Sequence, residues 1–401
     1  MTNPFELNLR HVRALCEAAR LQSLNRASTA AGLSQPALTQ GLTKLEKQLG
    51  AALFERHSGG VATTAAGAAF VARAERALGH LGVASRRIAR NASRGFAAPD
   101  RLMTGTQLDA FLHFADAQGY AGAAAASGIS QPALHRAVRE LEQICGTPLA
   151  ERRGRGMMLT TAGSAMARGI RLARSELAAG IAETRPDTGE PGRIVIGAMP
   201  LSRALVLPRA LSHMLADNPS TVLDIVEGSW RELVEPLLDG VIDLMIGALR
   251  DTVPPGVEQI PLFTDRPAIF ARRGHPLAQR KASVADLRTQ AWVIGPKGTP
   301  LRFHWERLFG ETLPPVPVEC GSVMVIRGLL MQSDLLTLLS PDQIAMEIET
   351  GMLVRIGSDL GRPSRMIGIS VRSGWRPTRA QEQLIHHLKQ ASAETRLPES
   401  Q

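Results

Sequence analysis

The five residues Ser34-Gln35-Pro36-Ala37-Leu38 return as Ser130-Gln131-Pro132-Ala133-Leu134, 96 positions further on. The correspondence continues without a gap. Leu45-Glu46 matches Leu141-Glu142, Gly50 matches Gly146, Leu53 matches Leu149, Glu55-Arg56 matches Glu151-Arg152, and Thr64, Ala66 and Gly67 match Thr160, Ala162 and Gly163. Between Gly32 and Gly67, 16 of 36 positions are identical to their counterparts, so one module occurs twice. A chain of 401 residues has room for both copies and for a further domain or two.

Each copy reads as three short helices. Leu9, Val12, Leu15, Cys16 and Ala19 recur at helical spacing, as do Leu108, Phe111, Leu112 and Ala115. The next segments, 24–31 and 120–127, stop at Gly32 and Gly128, residues suited to the left-handed closing conformation. Ser34 and Ser130 then stand as caps of a third helix, with Pro36 and Pro132 in its first turn, where a missing N–H costs nothing. Its apolar stripe is Leu38, Leu42, Leu45, Leu49 in one copy and Leu134, Val138, Leu141, Cys145 in the other.

That stripe leaves Gln35, Thr39, Gln40, Thr43, Lys44 and Lys47 exposed in the first copy, and Gln131, His135, Arg136, Arg139 and Gln143 in the second. A polar helix face is ordinarily just a solvated face. Here it is followed each time by a glycine-marked basic turn, Arg56 to Gly60 and Arg152-Arg153-Gly154-Arg155-Gly156, which reads as a β-hairpin wing. Donors and cations on a helix, with a basic wing beside it, suit base edges and phosphates of duplex DNA. Charge agrees: residues 1–190 carry 23 Lys+Arg against 15 Asp+Glu, residues 191–401 carry 23 against 22.

The sequence closely resembles the LysR-type transcriptional regulators. Ser34 to Leu38, Leu45-Glu46, Gly50, Leu53 to Arg56 and Thr64 to Gly67 stand as that family's N-terminal signature. The resemblance implies a winged helix-turn-helix, a dimerising linker helix, an effector domain shaped like a periplasmic solute-binding protein, and assembly as a homo-oligomer, usually a tetramer. From the exposed faces, the caps and the basic wings, the residues expected to contact DNA are Ser34, Gln35, Pro36, Thr39, Gln40, Thr43, Lys44 and Arg56, and Ser130, Gln131, Pro132, His135, Arg136, Arg139, Arg152, Arg153 and Arg155. Two modules where the family has one are the large departure. Ala150 also replaces the aromatic found as Phe54, and His135 stands where a small hydroxyl residue is typical.

The expected architecture is therefore two winged helix-turn-helix modules at 5–67 and 103–163, each followed by a long linker helix (68–94 and 164–186), then an α/β effector domain of two subdomains over 192–401. Subdomain I takes 192–267 and 369–392, and subdomain II takes 268–368. In the linkers, Val71, Ala74, Leu78, Leu81, Ser85, Ile88 and the matching Ala167, Ile170, Arg174, Leu177, Ile181, Thr184 form two seams at coiled-coil spacing. Each seam has a flaw where the other has a hydrophobe, so linker one is expected to pack on linker two, within a chain or between chains.

From Arg193 onward short apolar strands alternate with helices: Ile194-Val195-Ile196, Val222 to Val226, Leu244-Met245-Ile246. Ligands of such sheets sit at strand C-terminal ends near helix N-termini. Met199, Pro200 and Ser202 follow the first strand; Gly228, Ser229 and Trp230 follow the second; Arg250 follows the third; Lys297 and Thr299 face from the other subdomain. These groups favour a small anionic or polyhydroxylated effector.

Metal and disulfide chemistry is not indicated. Cys16, Cys145 and Cys320 lie far apart at no zinc spacing, and a single sensor-half cysteine does not suit a disulfide switch. No phosphate loop or nucleophile elbow occurs, and His386-His387 reads as structural, so neither an enzyme nor a cofactor is expected. With no export signal and no apolar run long enough to span a bilayer, the chain is expected in the cytoplasm, without a membrane partner. Two rivals remain at this point: the same regulator with one DNA-reading copy and one that only dimerises, and an exported solute-binding protein.

Overall fold

The computed structural model describes residues 3–57, 60–89, 96–117, 119–154, 156–184, 193–200, 206–357 and 364–394. The chain divides into two compact units, one built mainly from residues before 193 and one mainly from those after.

In the first unit α1 (Leu9–Leu21), α2 (Leu24–Ala31) and α3 (Gln35–Leu49) lead into a hairpin of β1 (Phe54–His57) and β2 (Gly60–Thr63), then α4 (Ala65–Ala89). The series recurs as α5 (Gly105–Ala117), α6 (Tyr120–Ser127), α7 (Gln131–Cys145), β3 (Ala150–Arg153), β4 (Gly156–Leu159) and α8 (Thr161–Glu183). The linker helices thus begin a few residues before the expected 68 and 164, and residues 90–94, 185 and 186 lie outside the described residues. Gly32 and Gly128 close α2 and α6 at φ 62° and 69°, the left-handed region where a side chain is strained.

The repeated Leu-Glu and Thr-x-Ala-Gly residues have a mechanical role. Glu46 Oε1 accepts the Leu53 N–H at 2.9 Å, and Glu142 Oε1 accepts that of Leu149 at 2.9 Å, pinning the approach to each hairpin. Thr64 and Thr160 donate to the carbonyls of Ala52 and Pro148 and accept from the N–H groups of Gly67 and Gly163. A Cβ at either glycine would collide with a backbone carbonyl, of Leu53 or Leu149.

One difference concerns the caps. Ser34 accepts the Ala37 N–H at 3.3 Å as expected, whereas Ser130 makes no side-chain cap bond; α7 starts on the Pro132 ring and the Leu134 N–H to Ser130 carbonyl bond.

The linker helices pack on each other within the chain, antiparallel: Arg73 of α4 meets Glu176 and Glu183 near the end of α8, and Ala84, further along α4, meets Gly169, earlier in α8. Phe70, Ala74, Ala77, Leu81, Ala167, Ile170, Ala173 and Leu177 fill the seam, and all are buried.

In the second unit β5 (Arg193–Ala198), α9 (Val206–Asp217), β6 (Val222–Glu227), α10 (Trp230–Leu238), β7 (Leu244–Ala248) and β8 (Val257–Asp265) follow in turn, and their four strands join the returning β14 (Arg365–Arg372) in a five-stranded sheet of order β6-β5-β7-β14-β8. The chain crosses after Asp265 to β9 (Ala268–Arg272), α11 (Val284–Arg288), β10 (Val293–Ile294), α12 (Pro300–Phe309), β11 (Val318–Glu319), α13 (Val323–Gln332), β12 (Thr337–Leu339), α14 (Ala345–Glu349) and β13 (Leu353–Ile356). It returns as β14 (Arg365–Arg372) and ends in α15 (Arg379–Glu394). The return begins at Arg365, earlier than the expected 369, because the ladder with β8 extends to the Arg365–Asp265 pair.

Each subdomain has its own core. Ile194, Ile196, Leu207, Met214, Leu384 and Leu388 form one, between the sheet and its helices. Trp292, Trp305 and Phe309, with ring centroids 5.3 to 5.8 Å apart, centre the other.

Candidate nucleic-acid interface and ligand cleft

In the first unit the apolar stripes of α3 and α7 are buried as their spacing dictates, which turns the opposite faces to solvent. On α3, Gln35, Pro36, Gln40, Thr43, Lys44 and the capping Ser34 are exposed; Thr39 is half-buried, and its hydroxyl donates back to the Gln35 carbonyl at 3.0 Å. On α7, Ser130, Gln131, Pro132, His135, Arg136 and Arg139 are exposed, the His135 ring lying 5.1 Å from that of Tyr120. Arg56, Arg152 and Arg153 project from the hairpins, Arg153 held by Glu151 at 2.9 Å. Arg155 lies outside the described residues. Each copy therefore presents a proline-started helix rich in donors beside a hairpin bearing an exposed arginine.

In the second unit Ser229 is exposed at the start of α10, its N–H given to Glu232 Oε2 at 2.7 Å. The Arg250 guanidinium lies over the Trp230 ring, 5.7 Å from its centroid. Burial first, then the nearby positive charges of Arg231 and Arg365, pull the Arg250 pKa below its ordinary value. Arg365 gives its Nε to Asp265 at 2.7 Å, while its Nη2 and the Arg250 Nε are buried without a hydrogen-bond partner among the described residues. Arg231 reaches the opposite subdomain, its Nη2 3.6 Å from where a Cβ on Gly298 would stand. Three guanidinium groups thus converge where the two subdomains face each other. Arg231 and Arg365 were absent from the sequence-based candidates: Arg365 is remote from Arg250 in the chain and is brought to it by the returning strand, whereas Arg231 follows the candidate Trp230 on α10 and only the fold shows that it reaches Arg250.

Several expected contacts of this cleft are used otherwise. Met199 is buried in the core with Leu233, Leu237 and Met245, over Gly247, because it is an inward position at the end of β5. Thr299 is committed to α12: its hydroxyl accepts the Arg302 N–H at 3.4 Å and donates to the Pro296 carbonyl at 2.9 Å. Gly228 continues the sheet, its N–H on the Ala198 carbonyl at 3.3 Å, with Leu233 packed where a side chain would stand. Pro200 is half-buried and Lys297 exposed; Ser202 lies outside the described residues.

Residues 187–393 match the family model described as LysR substrate binding domain. Two stretches, 9–68 and 106–164, each match that of the bacterial regulatory helix-turn-helix protein, lysR family. Over 394 residues the chain is 33% identical to the HTH-type transcriptional regulator GalR of Pseudomonas putida, a match covering 96% of this chain and 98% of that protein. Among solved structures, ArgP from Mycobacterium tuberculosis is similar at TM-score 0.60 and 18% identity, covering 73% of this chain and 98% of that one. A full-length OxyR variant from Pseudomonas aeruginosa follows at TM-score 0.56 and 20% identity, covering 72% and 94%. At these identities the two structures establish a common fold.

Proposed function

This chain belongs to the LysR family of DNA-binding transcription regulators, and from that premise we propose that both helix-and-hairpin modules read duplex DNA while the C-terminal cleft binds a small anionic effector. The observation that carries this reading is the pair of exposed donor faces, Gln35, Gln40, Thr43 and Lys44 on α3 and Gln131, His135, Arg136 and Arg139 on α7, each beside its own hairpin. Helices of this kind enter the major groove by their N-terminal turns, and a hairpin alongside tracks the phosphates. Two matches to the same helix-turn-helix family model support treating the second copy as a DNA-binding module in its own right.

The effector reading rests on Arg231, Arg250 and Arg365, with Trp230 as an apolar wall. Buried guanidinium nitrogens in a low-dielectric cleft favour a ligand that brings negative charge and acceptors. The passage of the chain from one subdomain to the other after Asp265 and back by Arg365 supports a periplasmic-binding-protein-like form, in which ligand occupancy changes the subdomain angle and so the operator contacts. The regulator works as a homo-oligomer in the cytoplasm and catalyses no reaction; none of its described helices is long and apolar enough to cross a membrane.

The test is footprinting of the purified full-length chain on the DNA beside its own coding region, against random duplex of equal length. A protected site that survives moderate salt is expected. Equal retention of both duplexes at that salt sinks the proposal.

A further inference from the structure

The contacts between α4 and α8 follow the 96-residue repeat. Under that offset Arg73 corresponds to Gly169, Arg76 to Leu172, His80 to Glu176, Ala84 to Gly180 and Arg87 to Glu183. A Cβ built on Gly169 would stand 2.5 Å from the Ala84 Cβ, and one built on Gly180 would stand 3.1 Å from the Arg73 Cβ. Exchanging the copies turns the first contact into the second. It likewise turns Arg73 with Glu176 into Gly169 with His80, and both pairs are in contact. The two helices therefore meet about a pseudo-twofold axis relating the two copies.

What stands at equivalent places is unlike. From α4 come Arg73, Arg76 and His80; from α8 come Glu176 and Glu183, and glycines where α4 carries Arg73 and Ala84. Glu176 holds Arg73 at 3.0 Å and Arg76 at 2.8 Å, and the Arg73 and Glu176 side chains are only 2% and 9% exposed. Two α4 helices from different chains, paired in this register, would set Arg73 against His80 and Arg87, and Arg76 against His80. Two α8 helices would set Glu176 against Gly169, Leu172 and its own counterpart, and Glu183 against Gly169, so both carboxylates would lose the guanidinium partners that they have here. Buried like charges and uncompensated buried carboxylates are both strongly disfavoured, so each like pairing is rejected.

We infer that this helix pair accepts only unlike partners from the same chain, so that one chain carries a complete two-headed DNA-reading unit whose site is a directional composite of two unlike half-sites. The inference rests on the reading that both copies contact DNA. A symmetric dimer reads an inverted repeat because its two reading helices are identical. Here α3 offers Gln40, Thr43 and Lys44 where α7 offers Arg136, Arg139 and Glu140, so the two halves present different donors and acceptors to the bases.

Two experiments on the full-length chain decide it. In the first, Arg73→Glu/Arg76→Glu and Glu176→Arg/Glu183→Arg each lower the unfolding temperature of the N-terminal unit, and all four changes in one chain recover it. Unfolding and refolding the two defective chains together does not. Rescue by that mixing, failure of the fourfold variant to recover, or indifference to the separate changes overturns the pairing. In the second, selection from a random duplex library returns two different half-sites about one helical turn apart, always in one order. Replacing one half by an inverted copy of the other weakens binding about tenfold or more. Selection of an inverted repeat overturns the inference. Selection of a single half-site overturns the two-copy reading itself and with it the directional site, while the charge exchange still reports on the pairing.

Discussion

Arg73 and Glu176 meet 3.0 Å apart in the seam between two helices, their side chains 2% and 9% exposed and 103 positions separating them in the chain. An ion pair this dry stands only while both members are present, since removal of one leaves the other charge buried. Glu176→Leu is expected to destabilise the N-terminal unit by on the order of 3 kcal/mol. Differential scanning calorimetry should show its transition falling while that of the C-terminal unit stays in place. A shared fall of both transitions would mean the seam is not the local lock described.

The same carboxyl predicts an acid limit. Burial alone pushes the Glu176 pKa up, but hydrogen bonds from His80, Arg73 and Arg76 outweigh it and hold the group at about 2. Its value in the folded chain lies below the ordinary Glu value near 4.3, so its stabilisation is complete above that pH. It is lost as pH falls from there toward about 2. Calorimetry of the wild-type chain and Glu176→Gln should give transitions that converge over this window and differ most at neutral pH.

Asp342 behaves in the opposite sense. Burial first, and then the charge of Asp265, push its carboxyl up to about 6. A raised acid is favourable to the fold while protonated, so its cost grows as pH rises from near 4 to about 6. Asp342→Asn is expected to raise the unfolding temperature of the C-terminal unit at pH 7 by a few degrees, with the gain gone by pH 4. A gain that persists at pH 4 would contradict the assignment.

DNA reading by each copy can be separated. Gln40→Ala with Lys44→Ala, and Arg136→Ala with Arg139→Ala, each remove exposed donors without touching the buried stripes of α3 and α7. Each lost base contact should cost roughly 1–3 kcal/mol of operator affinity, and each lost phosphate contact should flatten the log–log salt dependence by about 0.9. Gel shifts over a salt series measure both. If one pair changes neither, that copy serves only in association.

Much of this was legible in the amino-acid sequence. The repeat, the helix stripes and the glycine ends are local signals: Leu38, Leu42, Leu45 and Leu49 bury because their spacing admits no other face, and Gly32 closes α2 because it tolerates φ 62°. The seam spacing of Leu81 and Leu177 foretold helix association, and left open whether one chain or two supplied it. The Arg73 cluster was missed: Arg73 lies off the apolar seam in sequence, and its partners sit on a helix whose antiparallel register no local pattern states. In the cleft the loops were legible as strand ends. Arg365 was not, since its meeting with Arg250 depends on where the returning strand enters the sheet, and neither was Arg231, because local pattern does not state which side of α10 faces Arg250. Met199 shows the converse error, a strand-end residue that looks accessible in sequence and turns inward in three dimensions.

Gly67 tests the hairpin's attachment. A Cβ there meets the Leu53 carbonyl oxygen, a backbone atom that cannot move without loosening the turn held by Glu46. Gly67→Ala is expected to cost about 1–3 kcal/mol, the range of overpacked positions. It should weaken DNA binding more than Gly79→Ala does, because open space surrounds the methyl added at position 79. Paired gel shifts and thermal unfolding compare the two; equal behaviour would place the hairpin outside the reading surface.

The arginine cluster makes the effector's charge testable before its identity is known. A ligand that binds only the folded chain stabilises it by RT ln(1 + [L]/Kd), about 2.7 kcal/mol at a hundredfold excess over Kd. In a panel of small metabolites matched for size, anions should raise the transition of the C-terminal unit and their amides or neutral esters should not. Arg250→Gln keeps hydrogen-bonding capacity but removes the charge, so it should abolish the shift without unfolding the sheet, whose strands pair through backbone groups. Arg365 offers no such clean test, because its loss also frees the buried Asp265 carboxylate that it holds at 2.7 Å. Neutral ligands that stabilise as strongly as their acids, or an Arg250→Gln chain that responds like wild type, would move the effector's recognition away from these guanidinium groups.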